Sequence, residues 1–496
     1  MKYLIIILIF SFNLSANWKT LESKHFKLSY ETQFDNMAEK SIEYLENIHN
    51  FVSFYLNNLP NKTNIVISDT VDDANGFART IPYNLIHIYP FAPESTSELG
   101  NYSNWLYELL LHEYVHIVQI TKMSEIHKFI NKIFGTTVMP NQVLPKWIIE
   151  GIAVYFESIM TSYGRLNSSY YKMLFRTSMY YKNISLSEIS NITNYYPYGG
   201  LYYLYGVFFI DYVFKNNPNF NYLSKFIENY GNNLIPYGIN TSLKNVSHRT
   251  FTDLYDDFTK YYKDLYENLY KKLEQRGFTQ FEQLLPDTKY EINFLNDNDN
   301  LSKSVSSIYL SKSNILYINT ASPENSAYIY KYENNKITKF KKFDKSSSGF
   351  EIIDDYIFYI YYSIFENKYV KRLKFLNLKT NNEETLIDNM RIINFKINNY
   401  DCVITANETG IQNLYGYNLK NKKILKLTDF KHLSTIDKAT FINDDEIVFS
   451  ANEEGSFWDL YKLNIRTGHF EKLTNDNYYD ISPVFAKDEN KIYFIS

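Results

Sequence analysis

The chain has 496 residues, more than one ordinary core accommodates, so two or three domains are expected. Apolar residues at 45% and charged residues at 21% exclude a disordered chain. Lys and Arg number 51 against 55 Asp and Glu, and the net charge of −4 excludes nucleic acid as the main partner, because phosphate binding needs a basic field. The one cysteine, Cys402, excludes an intramolecular disulfide and any cysteine-rich zinc module.

In chain order the first feature is an address. Met1-Lys2, an apolar run from Tyr3 to Phe12 and a small residue at Ala16 have the pattern of a secretory signal peptide over residues 1–16. The run falls short of the roughly 20 residues that span a bilayer, and no Cys follows to carry a lipid. The mature chain is therefore expected to begin near Asn17 and to be exported to the periplasm, cell envelope or exterior of a bacterium. An exported chain with a single thiol is a compact protein that does without disulfides.

From 17 to 277 the pattern predicts an α+β domain. Ile42, Leu45, Ile48 and Val52 recur at helix spacing within Met37 to Leu56, as do the apolar residues of Asp253 to Leu273. Asn64 to Ser68 and Leu85 to Tyr89 read as short strands, and Asn75 to Ala78 between them reads as a turn. The run Leu201 to Phe214 is too short and too interrupted, by Asp211, for a membrane span.

The chemistry sits at His112-Glu113-x-x-His116. Residues four apart share one helix face, so both imidazoles can reach one metal ion, with the Glu113 carboxylate beside them to take a proton from water. Trp105, Leu109, His112 and His116 form one helical stripe, with Ser103 as the expected N-cap. A catalytic zinc needs a third protein ligand. Gln119 and Lys122 stand where a metzincin would carry Gly and His, which excludes that class. Farther on, Pro145 suits the first turn of a second helix from which Glu150 projects, and Gly151 is expected to let the first helix approach closely. His127 is not expected to be a ligand, and His25, His49, His248, His432 and His469 are read as structural or exposed.

The segment Trp147-Ile-Ile-Glu-Gly-Ile-Ala-Val-Tyr-Phe-Glu157 resembles the Trp-x-x-Glu-Gly-x-Ala-x-Tyr-x-Glu stretch of the peptidase MA-like gluzincin metallopeptidases. That resemblance implies Glu150 as the third zinc ligand, with one zinc per chain. The 33 residues between His116 and Glu150 exceed the spacing of the best-known aminopeptidases of that clan, and Thr121 to Val143 is read as an inserted helix and loop. Related aminopeptidases supply a transition-state tyrosine from a Tyr-x-x-Gly stretch. Tyr203-Leu-Tyr-Gly206 matches it, so Tyr203 is implied as the oxyanion donor, with Tyr205 in reserve. In the same families an edge strand before the zinc helix pairs with extended substrate, and that role falls to Leu85 to Tyr89, with His87 either facing the cleft or half-buried in the strand. Glu157 stands either as a carboxylate that orients a ligand or as an exposed Glu.

After Gly277 helical periodicity gives way to short Tyr/Ile/Phe runs between polar turns, with Asn296 to Asn300 as a linker turn rather than a calcium loop. There is a repeat. Leu425-Lys-Leu-Thr-Asp429 returns as Glu471-Lys-Leu-Thr-Asn475, its threonines 46 residues apart, and Asn413 to Leu419 returns as Asp459 to Ile465 in the same register. Glu446 to Ser450 returns as Lys491 to Ile495, and weaker copies lie at Arg372 to Leu378 and Tyr328 to Tyr332. Repeats of this length with several strands each are β-propeller blades. With Ile481-Ser-Pro-Val-Phe485 they resemble the TolB-like propellers of bacterial envelope proteins over 278–496, and Gln283 to Asp287 is read as a degenerate copy that closes the ring. About four and a half blades and a stop inside a strand at Ser496 lead us to expect a fragment of a longer chain.

No Gly-rich phosphate loop, no Gly-x-Ser-x-Gly elbow and no Cys beside a His competes with the zinc reading. The expectation is a multidomain protein in which an α+β gluzincin-type metallopeptidase domain precedes an all-β, incomplete propeller. It would be a secreted zinc peptidase acting on a peptide or protein, with the propeller engaging an envelope partner. The alternatives left open are an inactive binding scaffold and a zinc hydrolase of a non-protein amide. No Gly-x-Met-Glu-Asn-type stretch precedes His112, which favours endopeptidase action.

Overall fold

The computed structural model describes residues 18–191, 193, 199–215, 222–234, 237–277, 304–310, 315–322, 325–334, 336–343, 349–399, 401–453 and 456–496. The signal peptide, Gln283 to Asp287 and Asn296 to Asn300 lie outside the described residues.

The N-terminal α+β region opens with β1 (Trp18–Glu22) and β2 (Phe26–Glu31), followed by α1 (Asp35–Leu56), β3 (Thr63–Ile67), β4 (Gly76–Arg79) and β5 (Leu85–Ile88). The five strands form one sheet in the order β1-β2-β3-β5-β4, with β2, β3 and β5 parallel and β4 antiparallel at the edge. Phe26, Leu28 and Tyr30 of β2 alternate inward with Ile65 and Ile67 of β3, as period-two side chains on a half-buried sheet must. Onto that face pack α1, through Leu45, Ile48 and Val52, and α2 (Trp105–Ile120). Asn104 caps α2, its side chain accepting from the Tyr107 amide at 3.1 Å, so the cap is one residue beyond the expected Ser103.

The helices α3 (Glu125–Phe134), α4 (Lys146–Met160), α5 (Ser169–Tyr181), α6 (Leu201–Lys215), α7 (Tyr222–Gly231), α8 (Ile239–Ser247) and α9 (Phe251–Arg276) complete this region. Among the described residues no helix is long and apolar enough to cross a membrane. The role expected for Gly151 is corrected here: it faces α6, not α2. A Cβ on Gly151 would lie 2.7 Å from the Gly206 carbonyl carbon, and one on Gly206 would lie 2.6 Å from the Trp147 carbonyl oxygen. The two helices cross backbone to backbone. Ala normally favours a helix over Gly by about 1 kcal/mol, but here the methyl meets backbone that cannot rotate away. Gly206→Ala should therefore lower stability by about 1–3 kcal/mol, read as a lower urea midpoint. An unchanged or raised midpoint would mean the crossing is loose.

The all-β region is a series of meanders. The strands β6 (Ser304–Leu310), β7 (Leu316–Ser322), β8 (Asn325–Glu333) and β9 (Lys336–Lys342) form the first sheet, and β10 (Phe350–Ile353), β11 (Tyr356–Phe365), β12 (Lys368–Asn377) and β13 (Glu383–Thr385) the second. The third contains β14 (Ile392–Asn398), β15 (Asp401–Glu408), β16 (Ile411–Asn418) and β17 (Ile424–Lys426). The fourth contains β18 (Ser434–Phe441), β19 (Glu446–Glu453), β20 (Asp459–Asn464) and β21 (Phe470–Lys472), and β22 (Ile481–Ala486) pairs with β23 (Lys491–Ile495). Separate apolar cores lie between the first and second, second and third, and third and fourth sheets. Serial face-to-face packing of four-stranded meanders is the arrangement of propeller blades, and no ring closes among the described residues.

The sequence repeat has a physical cause. Its central copies fall on β8, β12, β16 and β20, each the third strand of its sheet. In the Leu-Thr copies, Thr428 Oγ1 accepts from the Leu414 amide at 2.9 Å and Thr474 Oγ1 from the Leu460 amide at 3.0 Å. One hydroxyl thus ties the end of the short outer strand to the third strand in two successive sheets.

The two regions are joined by buried polar contacts. Asp69 and Asp72, 3% and 0% exposed, both pair with Arg391, and Lys368 Nζ donates to Asp69 at 2.7 Å. The Tyr369 amide donates to the Thr70 carbonyl at 2.7 Å, and the Asp72 amide to the Tyr369 carbonyl at 3.1 Å. Farther along, Tyr163 stacks on Tyr479 with ring centres 5.6 Å apart.

Candidate metal centre

Helix α2 is buried on nearly every face, so its polar side chains exist there for a reason other than solubility. His112 and His116, four residues apart, turn their Nε2 atoms to one point, 3.1 Å from each other. Helix α4 crosses α2 and delivers Glu150, whose Oε2 lies 3.3 Å from His112 Nε2 and 3.4 Å from His116 Nε2. That oxygen is buried without a hydrogen-bond partner of good geometry. A tetrahedral zinc with bonds of about 2.0–2.1 Å holds its donors about 3.3 Å apart, so this triangle fits such an ion. Two imidazoles and a carboxylate are also the donor types it takes.

The surrounding charges favour a cation at that point. Burial pushes the His112 pKa down, yet the hydrogen bonds of Glu150 and Glu157 outweigh it and pull the value up to about 10. Burial works against the Glu150 carboxylate as well, but His116 and His112 hold it well below the usual range. Glu113 behaves differently: burial raises its pKa, only partly opposed by His112 and His116, so it holds a proton more readily than an ordinary Glu.

Glu157, left open by the sequence, is buried, and its Oε1 lies 2.7 Å from His112 Nδ1. It therefore orients the imidazole, with Nδ1–H donating to the carboxylate, so that a metal ion at the donor triangle would take the place of the Nε2 proton. The residue that sequence reasoning missed is Arg165. Its Nη2 and Nε donate to the two oxygens of Glu157 at 2.7 and 3.2 Å, and its guanidinium lies 4.8 Å from the centre of the Tyr203 ring. Against burial, Arg165 and His112 bring the Glu157 pKa to about 2. The signal was indirect. A buried Glu two turns beyond a ligand needs a counter-charge, and Arg165 is the next arginine in the chain.

These groups line one cleft of about 620 Å³, together with Asn75 to Ala78, Trp105, Glu108 and Tyr203. Tyr203 has its ring centre 6.5 Å from that of His112, and burial, reinforced by Glu150, keeps its hydroxyl protonated. Tyr205 is not at the site. It is buried, its hydroxyl 2.7 Å from Ser178 Oγ. His127 is also buried elsewhere, bonded to Ser124, while His25 stacks on His49 and pairs with Glu46.

The strand expectations are corrected in two places. Leu85 to Ile88 is not an edge strand, because β4 pairs along it from Gly76↔Ile88 to Arg79↔Leu85. The segment read as a turn, Asn75 to Ala78, supplies most of that edge strand and lines the cleft. Gly76 permits this close fit, since a Cβ there would lie 3.1 Å from Leu109 Cδ1 and 3.4 Å from Glu113 Cγ. His87 is half-buried within the sheet, stacked on Phe77 with ring centres 5.0 Å apart.

No protein-family model matches the chain, and no curated protein matches it. Solved structures similar to part of it are β-propeller proteins. TolB from Acinetobacter baumannii is 17% identical over 37% of this chain and 46% of its own, with a TM-score of 0.30. A putative TolB from Agrobacterium tumefaciens is 12% identical over 40% of this chain and 78% of its own, with a TM-score of 0.30. The β-propeller domain of the trilobed protease from Pyrococcus furiosus is 18% identical over 34% and 52%, with a TM-score of 0.25. The chain thus spans less than half the length of the A. baumannii protein.

Proposed function

We propose that this chain is an exported zinc-dependent metallopeptidase of gluzincin type, acting on peptides or proteins, whose all-β region serves as a protein-binding propeller at the bacterial envelope. The observation that carries the reading is the triangle of His112, His116 and Glu150 donor atoms, 3.1–3.4 Å apart, in the cleft that β4 and Glu113 also line. The N-terminal apolar run supports export.

His112, His116 and Glu150 would hold the zinc, which when bound supplies Lewis acidity that acidifies water and polarises a scissile carbonyl. Glu157 and Arg165 fix the His112 ring so that Nε2 points to the metal position. The outer edge of β4 offers backbone groups to an extended peptide, laying its scissile bond across the cleft. Glu113 takes the proton of the attacking water on its carboxylate and passes it to the departing amine as the C–N bond breaks. Tyr203, its hydroxyl held protonated, donates a hydrogen bond to the oxygen that gains charge as the carbonyl becomes tetrahedral. The free edge of β4 and the absence of a dedicated amine-binding motif before His112 favour cleavage within a chain.

Zinc content measured on the purified chain beside His116→Ala tests the centre. One zinc per chain, lost in the variant, is the expected result, with hydrolysis of an unfolded protein substrate following zinc content. A chain that takes up no zinc after reconstitution would sink the enzyme reading and leave the all-β region as the functional half.

A further inference from the structure

The cleft contains more carboxyl groups than the proposed chemistry uses. Its carboxylates are Glu98, Glu108, Glu113, Glu150 and Glu157, and its one arginine is Arg165. Arg165 is taken by Glu157. Glu113 and Glu150 lie against the imidazoles and belong to the metal position. Glu108 has no such role. It is only 5% exposed, and its Oε1 is buried without a hydrogen-bond partner. A buried carboxylate in that condition is costly unless something positive reaches it. Burial, with Glu157 adding to it and Arg165 and a backbone hydrogen bond from Ser103 only partly opposing, pushes the Glu108 pKa well up, so the carboxyl holds a proton until a cation takes that proton's place. Three residues earlier on the same helix face, Trp105 Nε1 is likewise buried with no acceptor. An unmatched acceptor, an unmatched donor and an indole ring thus sit together in the cleft, with Glu108 one helical turn, about 6 Å along the axis, before His112.

We propose that the Trp105–Glu108 end of the cleft is a subsite for a cationic group of the substrate, an ammonium or a guanidinium, next to the bond that is cut. Glu108 Oε1 accepts from the cation, the indole ring lies beside it, and Trp105 Nε1 donates to a backbone carbonyl of the same residue. That the ligand is a peptide rests on the peptidase reading; that it is cationic rests on Glu108. The charge comes from a Lys or Arg side chain or from a free N-terminus, and one helical turn from the metal position fits either.

The test is equilibrium binding to the full-length Glu113→Gln chain, followed by fluorescence polarisation. Three labelled hexapeptides are compared: an acetylated one with a central Arg, its acetylated citrulline counterpart, and the citrulline peptide with a free amine. A charge-assisted hydrogen bond to a buried carboxylate predicts binding about tenfold tighter or more for one charged peptide over the acetylated citrulline peptide. The Arg peptide winning assigns the site to a side chain; the free-amine peptide winning assigns it to an N-terminus. Glu108→Gln, built in the same background, should abolish the preference while the citrulline affinity stays the same. The comparison on the unaltered Glu108 needs no second variant, so poor folding of Glu108→Gln cannot mask a missing preference. Equal affinities, no binding of any peptide, or a preference that survives in a folded Glu108→Gln would overturn the proposal. Zinc content is measured on the same preparations. A chain that discriminates charge yet binds no zinc loses the peptidase reading alone. One that binds zinc yet binds all three peptides equally loses the subsite alone.

Discussion

Glu113→Gln is expected to lower kcat on a protein substrate by about 10²–10⁴-fold while zinc stays at wild-type stoichiometry. The amide has the same shape as the acid but cannot hold the proton that the proposed mechanism passes from water to the leaving amine. The same exchange should leave stability unchanged or raise it. Burial lifts the pKa of Glu113, so the folded protein bears the cost of a carboxylate it does not solvate, and a neutral amide removes that cost. Activity falling while the melting temperature does not is the signature of a group kept for function. Equal loss of zinc, activity and stability would instead make Glu113 a structural member of the centre.

The second large effect concerns Arg165→Met. Its guanidinium is the cationic partner of Glu157, and both side chains are 10% exposed or less. Removing one partner of a buried pair costs about 3–5 kcal/mol, because the other charge is left unpaired. Urea denaturation should show that loss. Zinc affinity, measured against a chelator, should fall about 10–100-fold, since Glu157 no longer holds the His112 ring in one orientation. The double variant Glu157→Gln with Arg165→Met separates the two effects: stability should return in large part, and zinc affinity should not. Wild-type zinc affinity in Arg165→Met would remove it from the centre.

Much of this was legible in the sequence, and the reasons differ residue by residue. His112 and His116 could be paired because helix period alone puts residues four apart on one face. The third strands of the sheets could be aligned because a threonine hydroxyl does the same bonding at Thr428 and Thr474. What failed needed tertiary information. Gly151 signals close approach, but nothing local says that Gly206 is what approaches. Gly76 to Arg79 is too short and too mixed to show strand periodicity, and it becomes a strand only because β5 lies beside it. Arg165 sits in the turn after α4, where no periodicity points inward. Tyr203 and Tyr205 are two apart in a Tyr-rich stretch, and only the packing of α6 separates the one lining the cleft from the one in the core.

The segment that pins Asp69 and Asp72 to Arg391 runs directly into β4, with three residues between Asp72 and Gly76. The strand proposed to receive substrate is thereby anchored, a few residues upstream, to the other half of the chain. A change of composition near Gly277 marks two architectures, but it does not mark two independent thermodynamic units. Severed there, the helical half would keep two buried aspartates whose arginine lies on the other fragment. The all-β half is then a structural support of the cleft, and whatever strains its second and third sheets is felt at the strand that lines it.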